Sequence, residues 1–146
     1  MAGILFDTSV YIHALRSGDS AILSLRRAAR AGESKSRPLY LSAVVLEELL
    51  VGASSARDQK ALYAFENDFS KVNRLVVPQQ ADWTLAGQVL NKVGVKYGFD
   101  LVGRARLTND ALIALSSASR GLTVITRNAA DYLLINEFRP FSFEVI

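Results

Sequence analysis

The chain contains no cysteine and only one histidine, His13. Without cysteine there can be no disulfide, no thiolate metal site and no thiol nucleophile, and a reducing compartment is compatible. With one histidine, no reaction can use a histidine pair as acid and base. No Gly-x-x-x-x-Gly-Lys-Ser/Thr loop is present, which argues against P-loop nucleotide chemistry. Ser9 and Ser42 lack a visible base for a hydrolase triad. No apolar run is long enough to span a bilayer. The first apolar stretch ends within a few residues at Asp7, so no signal peptide is visible and the cytoplasm is the expected location.

What remains is a globular composition. Of the 146 residues, 50% are hydrophobic and 21% charged, enough for one domain over residues 1–146 with its own core. The net charge of +3 favours a polyanionic partner without requiring one. Basic residues gather at Arg26, Arg27 and Arg30, then Lys35 and Arg37, and later at Lys92, Lys96, Arg104 and Arg106. They read either as solvated helix faces or as a phosphate track beside a site.

Short apolar runs alternate with helical patterns along the chain. Gly3 to Phe6, Leu39 to Leu41, Leu75 to Val77 and Leu122 to Ile125 read as strands, and Phe141 to Ile146 as an edge strand. Thr8 or Ser9 is predicted to cap a helix over Val10 to Arg16. The turn Ser17-Gly18-Asp19-Ser20 leads to a helix capped by Ser20, and Ser42 caps another over Ala43 to Val51. Further helices are expected from Arg57 to Val72 and from Ala81 to Tyr97, with Trp83, Ala86, Leu90 and Val93 or Val95 facing inward. A helix containing Asp110 starts near Thr108 or Asn109 and runs to Arg120, and a last one covers Ala129 to Ile135. This alternation indicates an α/β fold with a central, mainly parallel sheet flanked by helices. No repeat or domain boundary is visible.

Four acids stand in or beside apolar segments: Asp7 after the first strand, Glu48 in the helix after the second, Asp110 in an apolar helix and Asp131 after the strand at Leu122 to Ile125. Burying an unpaired carboxylate costs on the order of several kcal/mol, so four of them call for a compensating cation. An all-oxygen donor set suits Mg²⁺ or Mn²⁺. Such ions polarise phosphate and activate water for phosphodiester hydrolysis. Ligands bind beyond the carboxyl ends of parallel strands, which brings three of the acids to one edge by connectivity alone. Asp110 joins them if the start of its helix reaches the same edge. Thr8, Ser9, Thr126 and Asn128 are placed to orient the acids or contact phosphate, and Arg127 to bind phosphate or neutralise an acid. Each acid also has a plainer reading: Asp7 and Asp131 as caps, Asp110 as a charge at a helix N-terminus, one of Glu47 and Glu48 as surface. Asp19, Asp58, Glu66, Asp68, Asp82 and Glu137 read as ordinary surface charges, and His13 as a surface or partly buried side chain.

The blocks Leu5-Phe-Asp-Thr-Ser-Val10, Leu41-Ser-Ala-Val-Val-Leu-Glu-Glu-Leu-Leu-Val-Gly52, Asn109-Asp-Ala-Leu-Ile-Ala114 and Gly121-Leu-Thr-Val-Ile-Thr-Arg-Asn-Ala-Ala-Asp131 occur in that order over nearly the whole chain. Together they resemble the PIN-domain ribonucleases, and among them the VapC-type toxins of toxin–antitoxin systems. The resemblance implies a flattened α/β PIN-like domain and an endoribonuclease dependent on Mg²⁺ or Mn²⁺ that inhibits translation. It places the family's acidic residues at Asp7, Glu48, Asp110 and Asp131, its hydroxyl residue at Thr126, and Asn128 in its Thr-Arg-Asn run. It also implies RNA targets of the tRNA or rRNA class, a VapB-type antitoxin as partner and a homodimer. Helix faces around Leu46, Leu50, Leu62 and Phe65 are candidates for the dimer interface. Residues Gly94 to Leu107 match nothing in the resemblance. The competing reading is a non-enzymatic α/β module, an RNA-binding scaffold or a signalling receiver. A receiver wants paired acids after its first strand and an aspartate ending its third; here Asp7 is single and Pro78 follows Val77.

Overall fold

A computed structural model describes residues 3–17 and 20–146. Gly18 and Asp19, and with them the middle of the predicted turn, lie outside the described residues. The chain alternates as β1 (Ile4–Phe6), α1 (Thr8–Leu15), α2 (Ala21–Gly32), β2 (Leu39–Ser42), α3 (Ala43–Val51), α4 (Ala56–Ser70) and β3 (Leu75–Val76). It continues through α5 (Gln80–Tyr97), α6 (Phe99–Val102), α7 (Ala105–Ala118), β4 (Thr123–Thr126), α8 (Ala130–Phe138) and β5 (Phe143–Val145).

The strands form one sheet in the order β3-β2-β1-β4-β5, and every pairing is parallel. β1 lies in the middle, with Leu5 opposite Tyr40 on one side and Val124 on the other. All three of its residues are buried, as a strand covered on both faces requires. The chain winds outward from β1 through β2 to β3, then returns to the other side of β1 for β4 and β5. The carboxyl end of β1 is therefore the point at which the strand order reverses, the usual place for a ligand crevice in an open parallel sheet.

Capping explains several boundaries. The side chains of Ser20, Ser42 and Ser55 accept backbone N–H bonds from Leu23, Val44 and Asp58. The cap of α1 is Asp7, whose carboxylate accepts from the Ser9 N–H, and not Thr8 or Ser9 as expected from sequence. α7 starts at Ala105, a turn earlier than predicted, so Asp110 lies in its second turn rather than at its N-terminus. On α5, Ala86, Leu90 and Val93 face inward as predicted, but Trp83 is 57% and Val95 73% exposed. Asp82 is not a surface charge: it is buried at the start of α5 and accepts from the Gln79 N–H at 2.9 Å, closing a reciprocal cap.

Between α1, β1 and α4, the rings of Phe6, Tyr11, Phe65 and Phe69 pack edge to face in a chain, with centroids 5.6, 5.4 and 5.1 Å apart. Leu46, Leu62 and Phe65 belong to this core and Leu50 packs against it. Leu46, Leu62 and Phe65 are therefore not free to supply the dimer interface assigned to them from sequence, whereas Leu50 is only partly buried. Among the described residues, no helix is long and apolar enough to cross a membrane.

Candidate active site

A cleft of about 630 Å³ opens where the strand order reverses. Asp7, Glu48 and Asp110 all line it, delivered by the β1–α1 junction, α3 and α7. Thr8, Ser9 and Asn128 line it too. The plainer reading of Asp7 as a cap is met, and it is compatible with the functional one, because capping α1 fixes the carboxylate at the cleft floor.

Asp7 is 5% exposed and fully engaged. One oxygen accepts from the Ser9 N–H at 3.1 Å and from the Ser9 hydroxyl. The other accepts from the Thr126 hydroxyl at 2.6 Å. Those hydroxyls are themselves held: the Arg127 N–H donates to Ser9 Oγ at 2.9 Å, and the Asn128 N–H to Thr126 Oγ1 at 3.0 Å. The loop after β4 thus orients the acid after β1. The Asn128 side chain accepts from the Ala130 N–H at 3.2 Å and so shapes the turn into α8. Thr8 donates to Glu48 Oε1 at 2.7 Å, tying α1 to α3. Glu47 also lines the cleft, from a more exposed position.

Asp110 is 9% exposed. Burial, then Asp131 through a hydrogen bond and its charge, then the charges of Asp7 and Glu48, push its carboxyl up to about 8. Burial also raises Asp7, against the opposing pull of its hydrogen bonds from Ser9 and Thr126. Asp131 follows in the first turn of α8; it neighbours Asp110 but does not itself line the cleft. It pairs with Arg106, at 3.8 Å.

Two contributors went unread in the sequence. The first is the hydroxyl of Tyr132, fully buried and 3.4 Å from Asp110 Oδ1. The second is the wall that Ile12 and His13 of α1, and Arg16 at its C-cap, form in line with Ser9. Its four- and three-residue steps are helical spacing and could have revealed it. Of the basic clusters in the sequence only Arg106 reaches the cleft, beside Arg127 and Arg16. Arg26 instead forms a two-pronged pair with Asp68, Arg37 pairs with Glu144, and Lys96 with Glu137, all at the surface.

Chemically, the cleft has a carboxylate floor and a guanidinium rim. All donors on the floor are oxygen, the set that hard divalent cations prefer. A carboxyl driven to about 8 marks a floor short of positive charge, which such a cation would supply. As the side chains stand, no three acidic or histidine groups among the described residues are arranged to hold one ion.

A PIN domain family model matches residues 4–131. The chain belongs to the PIN-domain family. Three solved structures are similar over nearly all of it. DNA-bound VapBC from Salmonella typhimurium shares 22% identity over 99% of this chain and 98% of that one, with a TM-score of 0.66. VapBC-1 from nontypeable Haemophilus influenzae shares 21% over 97% and 96%, with a TM-score of 0.61. FitAB bound to an IR36 DNA fragment shares 17% over 97% and 94%, with a TM-score of 0.63. At such identities the likeness is one of fold. No curated protein matches the chain.

Proposed function

We propose that the protein is a divalent-metal-dependent endoribonuclease, the VapC-type toxin of a toxin–antitoxin pair. The observation that carries this is the convergence of Asp7, Glu48 and Asp110, from three separate elements, on one cleft at the sheet's reversal point. Membership of the PIN-domain family supports the nuclease chemistry. The likeness to VapBC complexes supports a VapB-type antitoxin as partner. The RNA is of the tRNA or rRNA class, and the active form is a homodimer joined through a surface other than Leu46, Leu62 and Phe65.

Asp7, Glu48 and Asp110 would hold Mg²⁺ or Mn²⁺, with Asp131 beside Asp110. When bound, the ion supplies a Lewis acid for the phosphate and lowers the pKa of water at the site. The remaining work falls to the chain's own groups. Thr126 and Ser9 keep the Asp7 oxygens turned toward the cleft. Arg16, Arg106 and Arg127 take the phosphates flanking the scissile bond. Ile12 and Val51 give the wall apolar surface for a base or ribose.

Incubating purified protein with total cellular RNA, in Mn²⁺ and in EDTA, tests this reading. Discrete fragments in Mn²⁺ alone support it, and their ends name the target. Intact RNA under both conditions contradicts it. The scaffold reading draws on one observation, the acids' failure to converge on a single point as they stand. Calorimetric Mn²⁺ titration separates the two, since a scaffold takes up no metal at the cleft.

A further inference from the structure

Tyr132 lies in the first turn of α8 and is completely buried. Its ring sits against Phe141 and Phe143, with centroids 5.8 and 6.0 Å away, and those two rings stack on each other at 5.2 Å. The segment carrying them is fastened to α8 by the Asn136 side-chain amide, which donates to the Phe141 carbonyl at 2.9 Å. The ring is therefore fixed by packing that phenylalanine would satisfy equally well. The hydroxyl needs another reason, because a buried polar group without a partner destabilises a fold by roughly 1–3 kcal/mol. Its hydrogen-bond partner is Asp110 Oδ1, at 3.4 Å, and the Asp7 carboxylate is also close enough to interact with it.

The geometry points to Tyr132 as a positioning residue: its buried hydroxyl donates to Asp110 and sets the rotation of that carboxylate for metal binding. The inference rests on the proposed metal-dependent reading. A donor on one oxygen removes the freedom of the carboxylate to turn and leaves its other oxygen for the ligand. Groups that orient a ligating carboxylate in this way change metal affinity by about 10–100-fold when removed. The anchor is unusual in its reach: the C-terminal segment, through two phenylalanine rings and one phenol, steadies an acid on α7.

Calorimetric Mn²⁺ titration of the wild type, Tyr132→Phe, Asp110→Asn and the double variant tests it, with thermal melts alongside. Tyr132→Phe is expected to melt close to the wild type and bind Mn²⁺ at least about tenfold more weakly. In the Asp110→Asn background the same change is expected to have less than about a twofold effect, because the group it acts through is gone. Wild-type affinity in a folded Tyr132→Phe protein overturns the inference alone. So does a weakening that persists undiminished in the Asp110→Asn background. A wild-type chain that takes up no Mn²⁺ overturns the functional reading and this inference with it.

Discussion

The Thr126 hydroxyl donates to Asp7 Oδ2 at 2.6 Å across the junction of β4 and β1. Thr126 is fully buried, so this bond is made out of reach of water. It joins the last residue of one strand to the residue after its neighbour, where the strand order reverses. Thr126→Val keeps the shape and removes the donor. We expect it to destabilise the fold by roughly 1–3 kcal/mol, as an unpaired buried oxygen does. We expect it to weaken Mn²⁺ binding by about 10–100-fold, with Thr126→Ser restoring most of both. Melting curves and metal titration of the two variants check this.

Tyr11 makes the opposite case. Its ring is fully buried between Phe6 and Phe65, yet its hydroxyl has no hydrogen-bond partner among the described residues. Tyr11→Phe removes the unsatisfied group and keeps the edge-to-face packing. It should stabilise the protein by about 1 kcal/mol, measured by urea denaturation. A drop in stability would show that the hydroxyl has a partner after all.

The acidic floor should couple metal binding to pH. The Asp110 carboxyl rises from 3.8 to about 8, chiefly by burial and then through Asp131, Asp7 and Glu48. A carboxyl raised on folding contributes stability that is full below its unfolded pKa and is lost as pH climbs through its folded pKa. Without metal, the protein should therefore become less stable between about pH 4 and about pH 8. Metal needs the ionised form, so Mn²⁺ should raise the melting temperature little at about pH 5 and substantially at about pH 9. Equal stabilisation at both ends would contradict the raised carboxyl.

The rim makes a separable contribution. Arg16 and Arg127 line the cleft from the C-cap of α1 and from the loop after β4. Removing either as Arg→Gln should weaken RNA binding in EDTA. It should also lower the salt dependence of single-stranded RNA affinity by about 0.7 in the log–log slope for each phosphate no longer neutralised. Fluorescence anisotropy across a salt series measures this. Arg26→Gln serves as the control, because Arg26 is paired with Asp68 and is absent from the cleft lining.

Much of this was legible before the structure. β-branched and leucine-rich runs too short for helices marked the strands, and serines at positions 20 and 42 marked two helix starts. The acids stood out because each interrupts apolar sequence. Other features left weaker traces. α7 begins without a side-chain cap, so nothing marked Ala105 as its start. Asp82 read as a surface charge because its reciprocal cap uses Gln79 in place of the usual serine or threonine. Trp83 follows the apolar pattern of α5 in sequence but projects into solvent. The strand order depends on contacts between distant segments, and with it the convergence of Asp7 and Thr126. Nothing in the sequence singles out Tyr132, since only a three-dimensional view places its hydroxyl beside Asp110.

The most direct test is cleavage of a defined RNA substrate in Mn²⁺ by the wild type and by Asp7→Asn. Asparagine caps a helix about as well as aspartate, so the Ser9 contact and the fold should survive. With a melting temperature near that of the wild type, Asp7→Asn should lose cleavage by at least about a hundredfold, and EDTA should abolish it in the wild type. Undiminished cleavage by a well-folded Asp7→Asn protein would contradict the assignment of the carboxylate floor as the catalytic centre.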